Sequence, residues 1–172
     1  KQAKYLQVCK EKSAQLDRLV EDLFTFTKTE LLEIEIKGNT VDLSMIIQNS
    51  IDSVSLLAHQ KHISIIMHQF GEECVVLGDA HLLERSINNL LDNAIRHTPR
   101  HGKIFVECYK SDHNATFTIK DTGDGFSSDE LHQVFEPLYR GEASRNRLTG
   151  GAGLGLTISK RIITQHGGDL EA

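Results

Sequence analysis

Residues 79–99 read Asp-Ala-His-Leu-Leu-Glu-Arg-Ser-Ile-Asn-Asn-Leu-Leu-Asp-Asn-Ala-Ile-Arg-His-Thr-Pro, and the reading of the fold grows outward from them. Leu82, Leu83, Ile87, Leu90, Leu91, Ala94 and Ile95 recur at spacings of three and four, the apolar stripe of an amphipathic helix. Asp79 stands where an N-cap belongs, and Pro99 and Gly102 end the run. The polar side is informative. Asn89 and Asn93 are four apart, so they project from one face, with Arg96 beside them. Asparagine contributes little to a helix interior. Its presence here has two readings: a solvated face or local hydrogen bond, or a neutral oxygen ligand for Mg²⁺ with Arg96 on a phosphate oxygen.

Downstream, Lys103–Tyr109 and Ala115–Asp121 alternate as strands and are joined by a hairpin loop at 111–114. The period of two places Asp121 on the face of Phe117 and Ile119, so its carboxylate points inward at the strand end. Such an acid needs a donor. A ligand amino group such as that of adenine is one donor, and the N–H groups of the following turn are the other. Thr122-Gly123-Asp124-Gly125 then lets backbone approach a ligand closely.

From Gly123 to Gly155 the chain is rich in Gly, Ser, Arg and Asn, with a short helical piece near 129–134. A charged irregular stretch of that length is usually functional. It ends in Gly150-Gly151-Ala152-Gly153-Leu154-Gly155-Leu156-Thr157, ahead of a last helix at about 156–166. Exposed glycine N–H groups at a helix start make a phosphate cradle. The run lacks the Lys-Ser/Thr of a Walker loop and the last glycine of a dinucleotide fingerprint, and the chain has no His-Arg-Asp or Asp-Phe-Gly signature.

Upstream, residues 4–32 contain no Gly or Pro. Leu16, Leu19, Val20, Leu23 and Phe26 form a stripe with seven-residue spacings, which suits a helix-bundle seam, or alternatively a surface helix on its own domain. No second N-terminal helix accompanies it, so a bundle would need a partner. Lys37-Gly38-Asn39 is a turn and the expected boundary. A short strand at 41–43, a helix at 44–61 and strands at 62–68 and 74–77 complete the pattern. The expectation is an α/β (α+β) two-layer sandwich: one mixed, mostly antiparallel sheet with helices on one face, preceded by a long helix.

The 172 residues carry 39% hydrophobic and 25% charged side chains, as in a soluble globular chain, with a formal net charge of -5. That charge argues against broad binding to nucleic acid or anionic lipid. Cys9, Cys74 and Cys108 form no CxxC pair and read as small apolar residues of a reducing compartment. No apolar run is long enough to cross a bilayer.

Taken together, the three motifs resemble the GHKL superfamily of ATP-binding proteins, and within it the histidine kinases. The resemblance covers nearly the whole chain. Asn89–Pro99 is similar to the N box, Asp121–Phe126 to the first glycine box, Val134–Gly141 to the F box and Gly151–Leu156 to the second glycine box. Leu138 stands where phenylalanine is usual. The resemblance implies a Bergerat-type fold binding ATP and Mg²⁺, with residues 38–172 as the ATP-binding domain. Residues 1–37 would be the second helix of a dimerisation and phosphotransfer domain.

By the same resemblance, Asn93 holds Mg²⁺ with Asn89 close to the metal, and Asp121 takes the adenine amino group. Arg96 and His97 line the phosphate and sugar side, and residues 127–150 form a lid from which Arg140 reaches a phosphate. Gly123 and Gly125 count among the nucleotide-binding positions, where backbone comes close to the ligand. Gly151, Gly153, Leu154, Gly155 and Leu156 supply backbone N–H groups. ATP-hydrolysing members carry a glutamate base where Asn89 stands, so the resemblance implies phosphoryl transfer to a protein histidine rather than hydrolysis.

The acceptor is a His followed by an acid in this family, and none of the nine histidines has that neighbour. The acceptor is therefore expected outside this sequence. His166, before Gly167-Gly168, reads as structural. The family continues past Ala172 with further strand. The implied parent is a membrane-anchored bacterial sensor kinase whose cytoplasmic part this is. It would be homodimeric through the helix bundle and would act on a response-regulator receiver domain. The chain itself would touch neither nucleic acid nor membrane. Three competing readings are a binding module that transfers nothing, a GHKL ATPase and an anti-sigma-type Ser/Thr kinase.

Overall fold

The computed structural model describes residues 2–31, 38–70, 74–111, 114–141 and 153–172. The expected boundary at 37/38 and Gly150 and Gly151 of the glycine-rich run abut or lie outside them, as does most of the second half of the expected lid.

The first helix, α1 (Gln2–Leu31), precedes β1 (Asn39–Asp42), α2 (Leu43–Gln60), β2 (Ser64–Phe70) and β3 (Val75–Gly78). Then come α3 (Ala80–His97), β4 (Lys103–Lys110), β5 (Ala115–Asp121), the single turn α4 (Ser128–Leu131) and α5 (Gly155–Gln165). Each start has a local cause. Asp42 caps α2 by accepting from the N–H groups of Ser44 and Met45, and Asp79 caps α3 by accepting from those of His81 and Leu82. Ser127 and Glu130 form a reciprocal capping box on α4. Leu154 precedes α5 without any side-chain cap.

The α/β class and the leading helix are as expected, but the strands divide differently. Among the described residues β1 pairs antiparallel with β3, and a second sheet has the order β2-β4-β5. In that sheet β2 runs parallel to β4, Ser64 facing Lys103, while β4 and β5 are antiparallel, Ile104 facing Asp121. Alternation assigns side chains to faces but not strands to neighbours, so a single sheet was the simpler expectation.

Ile104, Val106 and Cys108 of β4 are fully buried, beneath Ile47 of α2 and Ile87, Leu91 and Ile95 of α3. Each such aliphatic side chain contributes roughly 1.5–3 kcal/mol by leaving water. Phe105 and Glu107, facing the other way, are only half-buried. A smaller cluster, Leu154 just before α5 with Ile158 and Ile162 of α5, packs with Leu82 of α3 and Phe26 of α1. Burial and the neighbouring Cys74 push the Cys108 thiol up to about 12, and Cys9 is exposed on α1.

The α1 stripe splits. Phe26 faces α5, where the Arg161 guanidinium lies 4.9 Å over its ring, and Asp22 meets Arg85 of α3 at 3.1 Å. Leu16, Val20 and Leu23 remain more than half exposed. The surface-helix alternative therefore describes the Asp22–Phe26 edge of the stripe.

Candidate functional site

Asn89, Asn93 and Arg96 lie along one side of α3, half-buried. Beneath them Ile87, Leu91 and Ile95 are fully buried and anchor the helix. The Asn89 amide Nδ2 donates to the carbonyl of Gly155 at 3.4 Å, bringing Asn89 against the start of α5, with Asn93 one turn further along α3. Asn93 makes no side-chain hydrogen bond among the described residues, so its carboxamide oxygen is open to a hard cation. Arg96 is engaged within its own helix: its Nη2 meets Asp92 Oδ2 at 3.0 Å. A phosphate would share that guanidinium with Asp92.

The start of α5 could receive an anion. Among the described residues no side chain caps it and its first turn holds no acidic residue, so orphan N–H groups and the positive end of the helix dipole lie at this end. Leu154 is buried in the small cluster and anchors this end by its side chain, and Leu156 is half-buried. Gly153 has φ +74, and a Cβ there would lie 2.7 Å from the carbonyl oxygen of Tyr139. Both facts demand glycine. Gly155 differs, since a Cβ there would meet only the Asn89 side chain at 3.8 Å.

The third part sits at the end of β5. Phe117, Ile119 and Asp121 are half-buried while Thr118 and Lys120 are exposed, which confirms the inward face read from alternation. The donor to Asp121 is local: Oδ1 accepts from the N–H of Gly123 at 2.7 Å. The turn reading is thus present in the structure, and the second carboxylate oxygen remains for a ligand. A Cβ on Gly123 would lie 2.6 Å from the carbonyl oxygen of His97, so glycine brings this turn against the last residue of α3. Gly125, with φ +69, has open space around it.

His97 and Arg140 are half-buried, and Gly151 lies outside the described residues. Hydrogen bonds from Ser127 hold the Glu130 carboxyl below its ordinary range, with a smaller contribution from the charge of His97. Among the described residues no three His, Cys, Asp or Glu side chains cluster into a metal cage. The oxygen donors suit a cation that would also be held by phosphates.

Sequence reasoning did not single out Arg85, the α1 contact of α3, or the buried Ser86 and Ser159 between α3 and α5. Asp22 and Arg85 lie far apart in sequence, where no periodicity links them. Ser86 and Ser159 interrupt apolar faces, which was the one available signal.

Residues 78–172 match the family of histidine kinase-, DNA gyrase B-, and HSP90-like ATPases. The sensor protein VanS of Enterococcus faecium is 34% identical over 99% of this chain and 44% of its own length. The chain thus spans less than half of that relative. A mycobacterial sensor histidine kinase, MprB, superposes with a TM-score of 0.65 at 31% identity, covering 78% of this chain and 83% of that one. Full-length ShkA in complex with AMPPNP gives a TM-score of 0.81 at 27% identity, over 96% of this chain and 34% of that one. The buried helix stripe, the glycine turns and these likenesses agree: the chain belongs to the histidine kinase-, DNA gyrase B- and HSP90-like ATPase family and is a sensor histidine kinase catalytic domain.

Proposed function

We propose that residues 38–172 bind ATP with Mg²⁺ and present its γ-phosphoryl group to a histidine outside this sequence. The carrying observation is the 3.4 Å bond between Asn89 and Gly155, which joins the oxygen-donor face of α3 to the uncapped start of α5. The triphosphate would lie along that junction, with the open oxygen of Asn93 toward the cation and the N–H groups at Gly153–Leu156 on phosphate oxygens. The free oxygen of Asp121 would accept from the adenine amino group, beside Gly123 and Gly125. His97 and Arg140 would flank the sugar and phosphates, and Arg96 would add positive charge. A bound Mg²⁺ would neutralise phosphate charge.

Asn89 is an amide that already donates to Gly155, so it has no means to take a proton from water. Transfer to an imidazole nitrogen fits this chain better than hydrolysis. The chain's task would then be positioning and charge neutralisation.

Exposed Leu16, Val20 and Leu23 suit residues 1–37 as one helix of a dimerisation and phosphotransfer bundle, completed by other helices of the parent and its second copy. The downstream partner would be a response-regulator receiver domain, as in the solved complex of the kinase ThkA with its regulator TrrA. A need for ATP would put this activity on the cytoplasmic side of a membrane-anchored parent. No described helix is long and apolar enough to cross a membrane.

The test is calorimetric titration with ATP and ADP, with and without Mg²⁺, on the wild-type chain and Asp121→Asn. One-site binding that weakens at least about tenfold in the variant (~1.4 kcal/mol) is expected. Labelled γ-phosphate should then appear on an added histidine-bearing bundle domain. Binding without transfer would favour a nucleotide-sensing module. A folded wild-type chain that binds neither nucleotide would end the proposal.

A further inference from the structure

His166 forms the C-cap of α5, at the end opposite the glycine run. Its Nε2 lies 3.0 Å from the N–H of Asp79, and its Nδ1 lies 2.7 Å from the carbonyl oxygen of Ile162. A backbone N–H only donates, so Nε2 carries the lone pair. A carbonyl only accepts, so Nδ1 carries the proton. The two contacts together fix a neutral ring in one tautomer.

The ring rests on the backbone of Gly78, where a Cβ would stand 2.7 Å from Cδ2 and 3.0 Å from Nε2. Asp79, which receives the ring, is the N-cap of α3. His166 therefore ties the end of α5 to the origin of α3.

Two further bonds continue this seam. The Ser159 hydroxyl donates to the Ser86 carbonyl at 3.2 Å, and the Asn89 amide donates to the Gly155 carbonyl at 3.4 Å. Going up α3 from Asp79 through Ser86 to Asn89, the partners run back down α5 from His166 through Ser159 to Gly155. The helices are antiparallel, and each contact implies nearly the same register. A slip of one residue would move one helix along the other by about 1.5 Å. Misplacement on the order of 1 Å is enough to weaken a reacting geometry strongly.

We propose that His166 is a positioning residue: by pinning α5 to the start of α3, it sets the gap between Asn89 and Asn93 and the backbone at Gly153–Gly155. This inference rests on the nucleotide-binding reading above. It adds that the phosphate end of the site depends on a ring at the far end of α5, while the base end, on β5, does not.

The experiment compares the affinities of Mg²⁺–ADP and adenosine for the wild-type chain, His166→Phe, His166→Gln and Gly78→Ala. Circular dichroism and cooperative melting report the fold. His166→Phe keeps a ring and removes both bonds. Gly78→Ala keeps the histidine and displaces it. Both should lower the ADP-to-adenosine affinity ratio by at least about tenfold, and His166→Gln, which retains a donor and an acceptor, should recover part of it. Long-range proton–nitrogen NMR correlations should show the Nδ1–H tautomer in the wild type and its loss of order in Gly78→Ala.

An unchanged ratio in either folded variant would overturn the proposal, as would equal loss of both ligands in step with stability, which marks a purely structural role. Should His166→Phe fail to fold, Gly78→Ala decides alone. A wild-type chain that binds neither ligand refutes the nucleotide reading itself, and the positioning role falls with it.

Discussion

The N–H of Leu138 donates to the carbonyl of Gly153 at 3.0 Å, and both residues occupy the left-handed region, at φ 63 and φ 74. Two segments on either side of residues 142–152 are thereby stapled at their bases. The staple is tight, because a Cβ on Gly153 would lie 2.9 Å from the carbonyl carbon of Leu138 as well as against Tyr139.

Gly153→Ala therefore meets a strained φ, about 1–2 kcal/mol, and a backbone clash in addition. Gly155→Ala meets neither, because its Cβ would have only ordinary contact with Asn89. In urea unfolding, Gly153→Ala should lose more than about 1.5 kcal/mol and Gly155→Ala should stay within about 0.5 kcal/mol of wild type. Equal effects would show that the glycines are interchangeable and that the staple is not what position 153 serves.

Asp22 poses the opposite problem, a charge moved into partial burial. Loss of hydration raises its carboxyl above the ordinary value of 3.8, and this outweighs the lowering by Arg85. Because the folded value is the raised one, Asp22 favours the folded state most below pH 3.8. That contribution is lost as pH rises from 3.8 through the raised folded value. Asp22→Asn should change stability at pH 7 by less than about 1 kcal/mol and flatten the pH dependence just above 3.8. Arg85→Ala, which leaves the acid without its ion pair, should cost more. Urea midpoints from pH 4 to 7 separate these, and a large loss in Asp22→Asn at pH 7 would contradict the ordering.

What the sequence disclosed and what it hid have separate physical origins. Asp79, the α3 stripe and the inward face of Asp121 were legible because capping and periodicity are local rules. The α1 stripe was legible as apolar, yet a helical wheel does not say which edge meets its own domain. Phe26 is claimed by α5, whereas Leu16 is not. Arg96 was read toward phosphate although Asp92 sits one helical turn before it, a pairing that the spacing alone announces. The donor to Asp121 turned out to be the Gly123 amide, so burial of that acid did not by itself require a ligand. The division of strands into two sheets depends on pairings that no alternation encodes.

Under the proposed function, Asn93 and Asp121 should fail in different ways. Asn93 offers an oxygen to the cation, so Asn93→Ala should abolish the gain in ADP affinity on adding Mg²⁺ and leave metal-free affinity within about twofold. Asp121→Asn should weaken binding by about tenfold with and without the metal. Parallel titrations at zero and saturating Mg²⁺ read both effects. An Asn93→Ala chain that keeps its full Mg²⁺ response would remove that residue from the metal site.

Two serines facing each other across the α3–α5 seam should respond with opposite signs. Ser159 is fully buried and its hydroxyl donates to the Ser86 carbonyl, so Ser159→Ala breaks a bond and leaves that carbonyl less well satisfied. A loss of about 1 kcal/mol is expected. Ser86 is equally buried, but its own hydroxyl oxygen has no partner among the described residues, while its backbone carbonyl does the accepting. Ser86→Ala removes an unsatisfied group, leaves the carbonyl in place and improves helix propensity. It should stabilise the chain by about 0.5–1.5 kcal/mol, raising the urea midpoint at unchanged slope. If Ser86→Ala destabilises as Ser159→Ala does, the Ser86 hydroxyl has a partner, such as a buried water, and the seam contains one more bond than the three that fix its register.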